Sequence, residues 1–487
     1  MKKDLLTRTM ASILVLAIVL PLSSCGNTKR NDDVVSPDND TSTDNITAAQ
    51  VPPDEAITIS TDSIAYASSF SDGYAWNIYS DPNDGNWHAS VIDITGKMTF
   101  QWNTGWKDKA EADGIRDKFS YANGYVYIHQ NDKFYVLDAF GKILYSCDNN
   151  ESSDTSLGID TENNSNKGDI VSCYADGYTI STNYSRDFDS AKYTYTVYAP
   201  DGTSSTHELP DSTMAANFSY LDNGIFWCFY STDGKHVQQF LYNAITDTVP
   251  DISMPTYPGL PNRRDKKSKN SNITYAGCST NGSFGFFDQN GKYFSCVIPT
   301  YSPNAAVDVA TYLDKAMIMV NDKLYLYIPA TNELKNITIP YAQKIMINNI
   351  SMFTYGEEKV VIPVQGTDEE KYVMVINENG ELLSDPIPAY DYSYFSEDRL
   401  IVNTDSDSIN VYDDKMNLVY SDKDEKFASE QIETLDLEPY ANGVAVAYEH
   451  RGPDVAGRYL YLDPDGNVLF DKLDASSAIE LQLNIDS

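Results

Sequence analysis

One pattern recurs from about Ala56 to the C-terminus: an apolar or aromatic residue, a tight turn often carrying Gly, an alternating strand, a gap, a second strand, a Gly or Asn turn, and a third strand. Its first half reads FSDGYAWNIY at Gly73, FSYANGYVYI at Gly124, SCYADGYTI at Gly177 and FSYLDNGIFWCFY at Gly224. Further copies are CSTNGSFGFF at Gly282, TYLDKAMIMV near Lys315, FTYGEEKVVIPV at Gly356, YFSEDRLIV near Asp398 and PYANGVAVAY at Gly443. The second half is as regular, as in SVIDITGKMTF at Gly96, YVLDAFGKILY at Gly141 and YLYLDPDGNVLF at Gly466. The markers stand about 50 residues apart early in the chain and about 45 apart late, within the range of blade-like repeats. A lone unit of three or four strands cannot bury both of its faces, so the units must stack.

Repeats of this length with four short strands, arranged radially, describe an all-β fold, a β-propeller. Nine copies are counted, two of them degenerate, against an expectation of 7–9 blades with eight favoured. An open β-solenoid of stacked hairpins is the alternative. Within a unit, the alternation at Val136, Leu137 and Asp138 is expected to turn one face inward and one outward, while the turn glycines supply positive φ. Strand signals at Ile57-Thr58-Ile59 and at Ile479 to Leu483 suit closure of a ring by pairing the termini. The 36 Tyr point the same way, since aromatics favour half-buried strands.

The N-terminus carries a targeting signal. Lys2, Lys3 and Arg8 precede the apolar stretch Ala11 to Leu22, which is too short to span a bilayer. Leu22-Ser23-Ser24-Cys25 then resembles the lipobox of bacterial lipoproteins, which implies lipidation of Cys25 and an extracytoplasmic, membrane-anchored chain. Residues 1–24 therefore read as signal peptide and 25–55, rich in Asn, Asp, Ser, Thr and Pro, as a flexible linker. Such a coil reaches about 30 Å. Residues 56–487 form the repeat domain.

The units also resemble the WG-repeat family of bacterial proteins. Phe70-Ser71-Asp72-Gly73-Tyr74-Ala75 is similar to the first half of that repeat. The stretch from Phe284 to Lys292 is similar to the second, with Phe in place of Trp. The Asp-x-x-Gly-Lys turn recurs at Asp93 to Lys97 and at Asp138 to Lys142. The resemblance implies a repeat array used for surface interaction and supplies no common catalytic residue.

Charge narrows the partners. With 35 Lys+Arg against 71 Asp+Glu, the net charge of −36 disfavours nucleic acid and anionic lipid surfaces. The one basic island, Arg263, Arg264, Lys266, Lys267 and Lys269, is a candidate interaction loop for an anionic polymer or an acidic partner face.

Chemistry is sparse. The five His (His88, His129, His207, His236, His450) lie far apart without the helical His-Glu spacing of zinc sites. No nucleophile elbow, phosphate loop or nicotinamide fingerprint stands in a strand-to-helix context. Carboxylates are too abundant for any pair to be singled out, so no catalytic, cofactor-binding or metal-ligating residue is assigned. The segments Asp81 to Asn86 and Asp463 to Asn467 are rich in oxygen donors but lack the EF-hand order, and read as turns. Beyond Cys25, the five cysteines read as buried free thiols, with one disulfide allowed. Tyr193, Tyr195 and Tyr198, and likewise Tyr390, Tyr392 and Tyr394, read as aromatic ladders on one sheet face.

These observations favour a surface-anchored, non-catalytic lipoprotein whose repeat domain is a platform for a protein or a cell-envelope polymer. The alternative is a secreted carbohydrate-active enzyme with acidic residues at the channel mouth.

Overall fold

The computed structural model describes residues 49–50 and 58–481 apart from short segments, of which 250–270 and 150–169 are the longest. Nine sheets follow one another along the chain, at 64–103, 119–148, 170–208, 215–243, 273–297, 307–337, 344–388, 393–421 and 434–470, here numbered blades 1 to 9. Strands pair antiparallel within each blade and in chain order, because a tight turn is the shortest link between antiparallel neighbours; in blade 7, however, Lys344–Ile345 and Thr354–Gly356 both pair with Lys359–Gln365.

Apolar contacts between blades decide the architecture. Trp76 and Phe119 join blades 1 and 2, Phe134 and Tyr174 join 2 and 3, and Tyr195 and Phe218 join 3 and 4. Trp227 with Phe287, Phe286 with Tyr327, and Met319 with Ile362 belong to the next three interfaces. Val375 with Leu400, and Tyr420 with Tyr440, lie in the interfaces of blades 7 with 8 and 8 with 9. A ninth cluster holds Tyr461 and Leu473 of the C-terminal region with Ala75 and Ile92 of blade 1. An open stack has one interface fewer than it has sheets, so nine interfaces among nine sheets mean a closed ring. The chain is a nine-bladed β-propeller, at the top of the expected range. The favoured count of eight and the open solenoid are both corrected, because every copy supplies its own buried hairpin and none is an insertion. The first strands of blades 3 to 6 and 8, with Thr354–Gly356 of blade 7 between them, approach one another in succession, which sets them around the axis.

Ring packing also overturns the expected inward and outward alternation. Val136 and Leu137 are both fully buried, and Trp87–Asp93 is buried at every position but its last. Each blade is covered on both faces by its neighbours, so consecutive side chains enter two different interfaces. A period of two in exposure survives at some strands, among them the outer strand Ser204–Glu208, where exposed and half-buried residues alternate. The parity of the strand also corrects one aromatic ladder. Tyr193 and Tyr195 face blade 4, whereas Tyr198, an odd number of residues on, faces blade 2 and stacks on Tyr145 at 5.6 Å.

Both chain ends take part in closure. Ile479–Leu481 runs parallel to the outer strand of blade 1, with Ile479 opposite Phe100 and Leu481 opposite Trp102, and Ala49–Gln50 pairs with its other edge. Ala49–Gln50 lies within the span read as linker. Thr58–Ser60 pairs with Lys472–Asp474 instead of with the last strand.

Candidate functional site

The recurrent turns are structural devices. At Asp-x-x-Gly-Lys, Asp93 Oδ1 accepts the Thr95 and Lys97 amides at 2.8 and 3.1 Å, and Asp138 Oδ1 accepts those of Phe140 and Lys142 at 2.9 Å each. Gly141 has φ +80°, and a Cβ there would meet the Phe100 ring of blade 1 at 3.0 Å. Asp463 behaves alike toward Asp465 and Asn467, in keeping with its reading as a turn. The motif is therefore an Asx turn that fixes a hairpin.

The turns between first and second strands form a rim around the axis. Asp72-Gly73, Asn123-Gly124, Asp176-Gly177 and Asn442-Gly443 all have positive φ at both positions, the geometry of type I′ hairpins. Side chains tie one turn to the next. Both Glu397 oxygens of blade 8 accept main-chain amides, those of Asn442 and Gly443. Asn442 Oδ1 accepts the Gly73 amide at 2.8 Å. Ser71 Oγ donates to Asn123 Oδ1 at 3.1 Å and accepts the Asn123 amide at 3.2 Å. Asn123 Nδ2 then donates to Asp176 Oδ1 at 2.5 Å, and the Tyr220 hydroxyl of blade 4 donates to Asp176 Oδ2. Gly177, at φ +77°, donates its amide to Tyr127 at 2.8 Å, and a Cβ there would strike Tyr125 at 2.6 Å. Burial, then the charges of Asp176 and Asp72, push the Tyr125 hydroxyl above its ordinary value. Glu397 and Asp176 thus act as anchors for this rim.

A second cluster lies at the opposite end of blade 1. Tyr74–Ser80 starts at the rim and runs away from it, so residues 81–86 turn at the far end, before Trp87–Asp93. Asp81, Asp84 and His88 place one ligand atom each within 4.8 Å of one another. His88 is 2% exposed and stacks on Tyr79 at 5.4 Å. Its Nε2 lies 3.0 Å from Asp84 Oδ2, which also accepts Asn103 Nδ2 at 3.0 Å and Asn86 Nδ2 at 3.2 Å. Burial works to raise the Asp84 carboxyl, but hydrogen bonds from the Asn86 amide, His88 and Asn103 outweigh it and hold the group below the ordinary aspartate range. Asp81 is 9% exposed and accepts the Asn83 amide at 2.8 Å. Turn bonds are present here as expected from the sequence. The reading missed His88, two residues past the turn, whose signal is the spacing Asp81-x-x-Asp84-x-x-x-His88.

The remaining sequence candidates are dispersed. Cys25 and the island Arg263, Arg264, Lys266, Lys267 and Lys269 lie outside the described residues, as do His236 and Tyr392. His207 pairs with Asp247 at 2.9 Å and His450 with Asp436 at 2.7 Å, each with a single carboxylate. Cys147, Cys228, Cys278 and Cys296 are buried, Cys173 is half-buried, and none of the five is joined in a disulfide. Tyr195, at 3% exposure, is packed against Phe218 at 4.9 Å.

No protein-family model matches the chain, and no curated protein matches it. Among solved structures it is similar to BamB from Moraxella catarrhalis, at 11% identity over 72% of this chain and 94% of that one, with a TM-score of 0.31. It is similar to the WD40 domain of SCAP from fission yeast, at 9% identity over 85% of this chain and 99% of that one, with a TM-score of 0.38. The WD40 domain of Toxoplasma gondii coronin matches at 10% identity over 62% of this chain and 85% of that one, with a TM-score of 0.30.

Proposed function

We propose that the chain is a lipid-anchored, non-catalytic binding platform: Cys25 is acylated, the segment 25–55 spaces the ring from the membrane, and the propeller presents its surface to a protein or a cell-envelope polymer. The observation that carries this reading is the chain of side-chain bonds from Glu397 through Asn442, Gly73, Ser71, Asn123 and Asp176 to Tyr220. It holds the turns of consecutive blades as one preorganised surface, and a surface ordered in advance does not lose that freedom on binding. Both Glu397 oxygens are taken up by main-chain amides, so this rim carboxylate serves to hold the turns together. The WG-repeat resemblance agrees, since it implies surface interaction.

Crosslinking on intact cells, followed by purification and mass spectrometry, tests the platform. A stoichiometric protein or bound glycan crosslinked to the propeller is expected. Glycan hydrolysis that disappears on Asp or Glu substitution at one end of the ring would overturn it. Cys25→Ser is expected to move the protein from the membrane to the soluble fraction, and unchanged retention refutes the anchor.

A further inference from the structure

We propose that Asp81, Asp84 and His88 form a binding site for a divalent first-row metal ion on blade 1, with Asn86 Oδ1 as a further oxygen donor. Two carboxylates, an imidazole and an amide oxygen make a mixed donor set, suited to Mn²⁺ or Zn²⁺ more than to Ca²⁺ or Mg²⁺, which take oxygen alone.

Three observations beyond proximity point to an ion. Asp81 is a nine-tenths buried carboxylate with no ion-pair partner among the described residues, although it lies beside a second carboxylate. The Asp84 side chain is 37% exposed, so water screens part of the repulsion between the two anions, and a cation between them removes what remains. Asn86 Oδ1 is buried without a hydrogen-bond partner, while Asn86 Nδ2 is held by Asp84 and Asn103, which fixes the amide in place. His88 is also buried and its Nδ1 has no partner, so the ring is anchored on the polar side by Asp84 alone. The pairs His207–Asp247 and His450–Asp436 lack these features: each brings one carboxylate, and both of those carboxylates are more than half exposed.

His88 Nε2 faces a carboxylate oxygen and so carries the proton of that contact; binding would leave the ring as the Nδ1–H tautomer, with the Nε2 lone pair on the ion, and draw the three side chains together. The ion would then clasp the turn at 81–86 to Trp87–Asp93 in the blade that also receives the C-terminal strand.

The test uses the full chain with any affinity tag removed, titrated with Mn²⁺ and with Zn²⁺ by calorimetry. One saturable equivalent of Mn²⁺ is expected, with a rise in the thermal midpoint. Asp81→Asn and Asp84→Asn should each weaken binding at least about tenfold, as loss of a ligand charge does, while the metal-free protein keeps its circular dichroism spectrum. Pulsed electron paramagnetic resonance of the wild-type Mn²⁺ complex should show coupling to an imidazole nitrogen, which requires no variant to fold. Failure of the folded wild type to bind one equivalent of Mn²⁺, binding that survives both substitutions, or Mn²⁺ without nitrogen coupling would each overturn the site. Zn²⁺ binding that persists in the variants while Mn²⁺ binding is lost would assign the remaining Zn²⁺ to thiols and leave the site standing.

Discussion

Asn442 Oδ1 accepts the backbone amide of Gly73 at 2.8 Å, a bond between the last blade and the first. Asn442 also has φ +58°, so a single residue shapes the turn of blade 9 and holds the seam of the ring.

Asn442→Ala removes the seam bond and forces a Cβ residue without a local side-chain bond into the left-handed region. Urea unfolding should show a loss of about 1–2 kcal/mol. Asn442→Gly relieves the backbone and isolates the side-chain bond, so it should cost less than the Ala variant. A wild-type midpoint in Asn442→Gly would dissociate the seam bond from stability.

Leu481 is 2% exposed, packs in the cluster between blades 1 and 2, and belongs to the parallel closing strand. Leu481→Ala should cost about 2–5 kcal/mol through the cavity it leaves. Protease should then release the C-terminal segment before it cuts the blades. A variant with the wild-type thermal midpoint would show that closure does not depend on this strand.

Asp413 sits in an Asx turn, where the Asn417 side-chain amide, then the Asn417 and Lys415 main-chain amides, hold its carboxyl below the ordinary value of 3.8 despite some desolvation. A carboxyl depressed in the folded state contributes stability above the unfolded value and loses it as pH falls through the folded value. Asp84, Asp463 and Asp474 are lowered in the same direction. The urea midpoint should therefore hold at mildly acidic pH and fall below pH 3.8. Asp413→Asn should flatten that fall, and an unchanged profile would remove Asp413 from it.

Burial pushes the Cys173 and Cys278 thiols up to about 11 and that of Cys296 up to about 12, and raises Cys228 well above its ordinary value. Thiolate is the reactive form, so these groups should resist a disulfide reagent at pH 8. In the Cys25→Ser variant the native protein should show no rapid phase, and unfolding in urea should release five reactive thiols. Rapid native reaction would mean that a blade interface opens readily.

The Asp-x-x-Gly-Lys turns, the paired positive-φ turns such as Asp72-Gly73, and the burial of most thiols were legible in the sequence. Each depends on residues a few positions apart or on side-chain polarity alone. The all-β class followed from the same periodicity.

Closure at nine blades was decided only in three dimensions, because it depends on the contacts each sheet makes with two neighbours and on the pairing of Ile479–Leu481 with a strand at the opposite end of the chain. Burial of both Val136 and Leu137, and the turn of Tyr198 away from Tyr195, follow from the same sandwiching of each blade. The meeting of Asp81 and Asp84 with His88 required a strand to carry the imidazole back beneath its own turn. Short-range turn chemistry is written residue by residue, whereas ring closure is a sum of many small packing terms that no single segment contains.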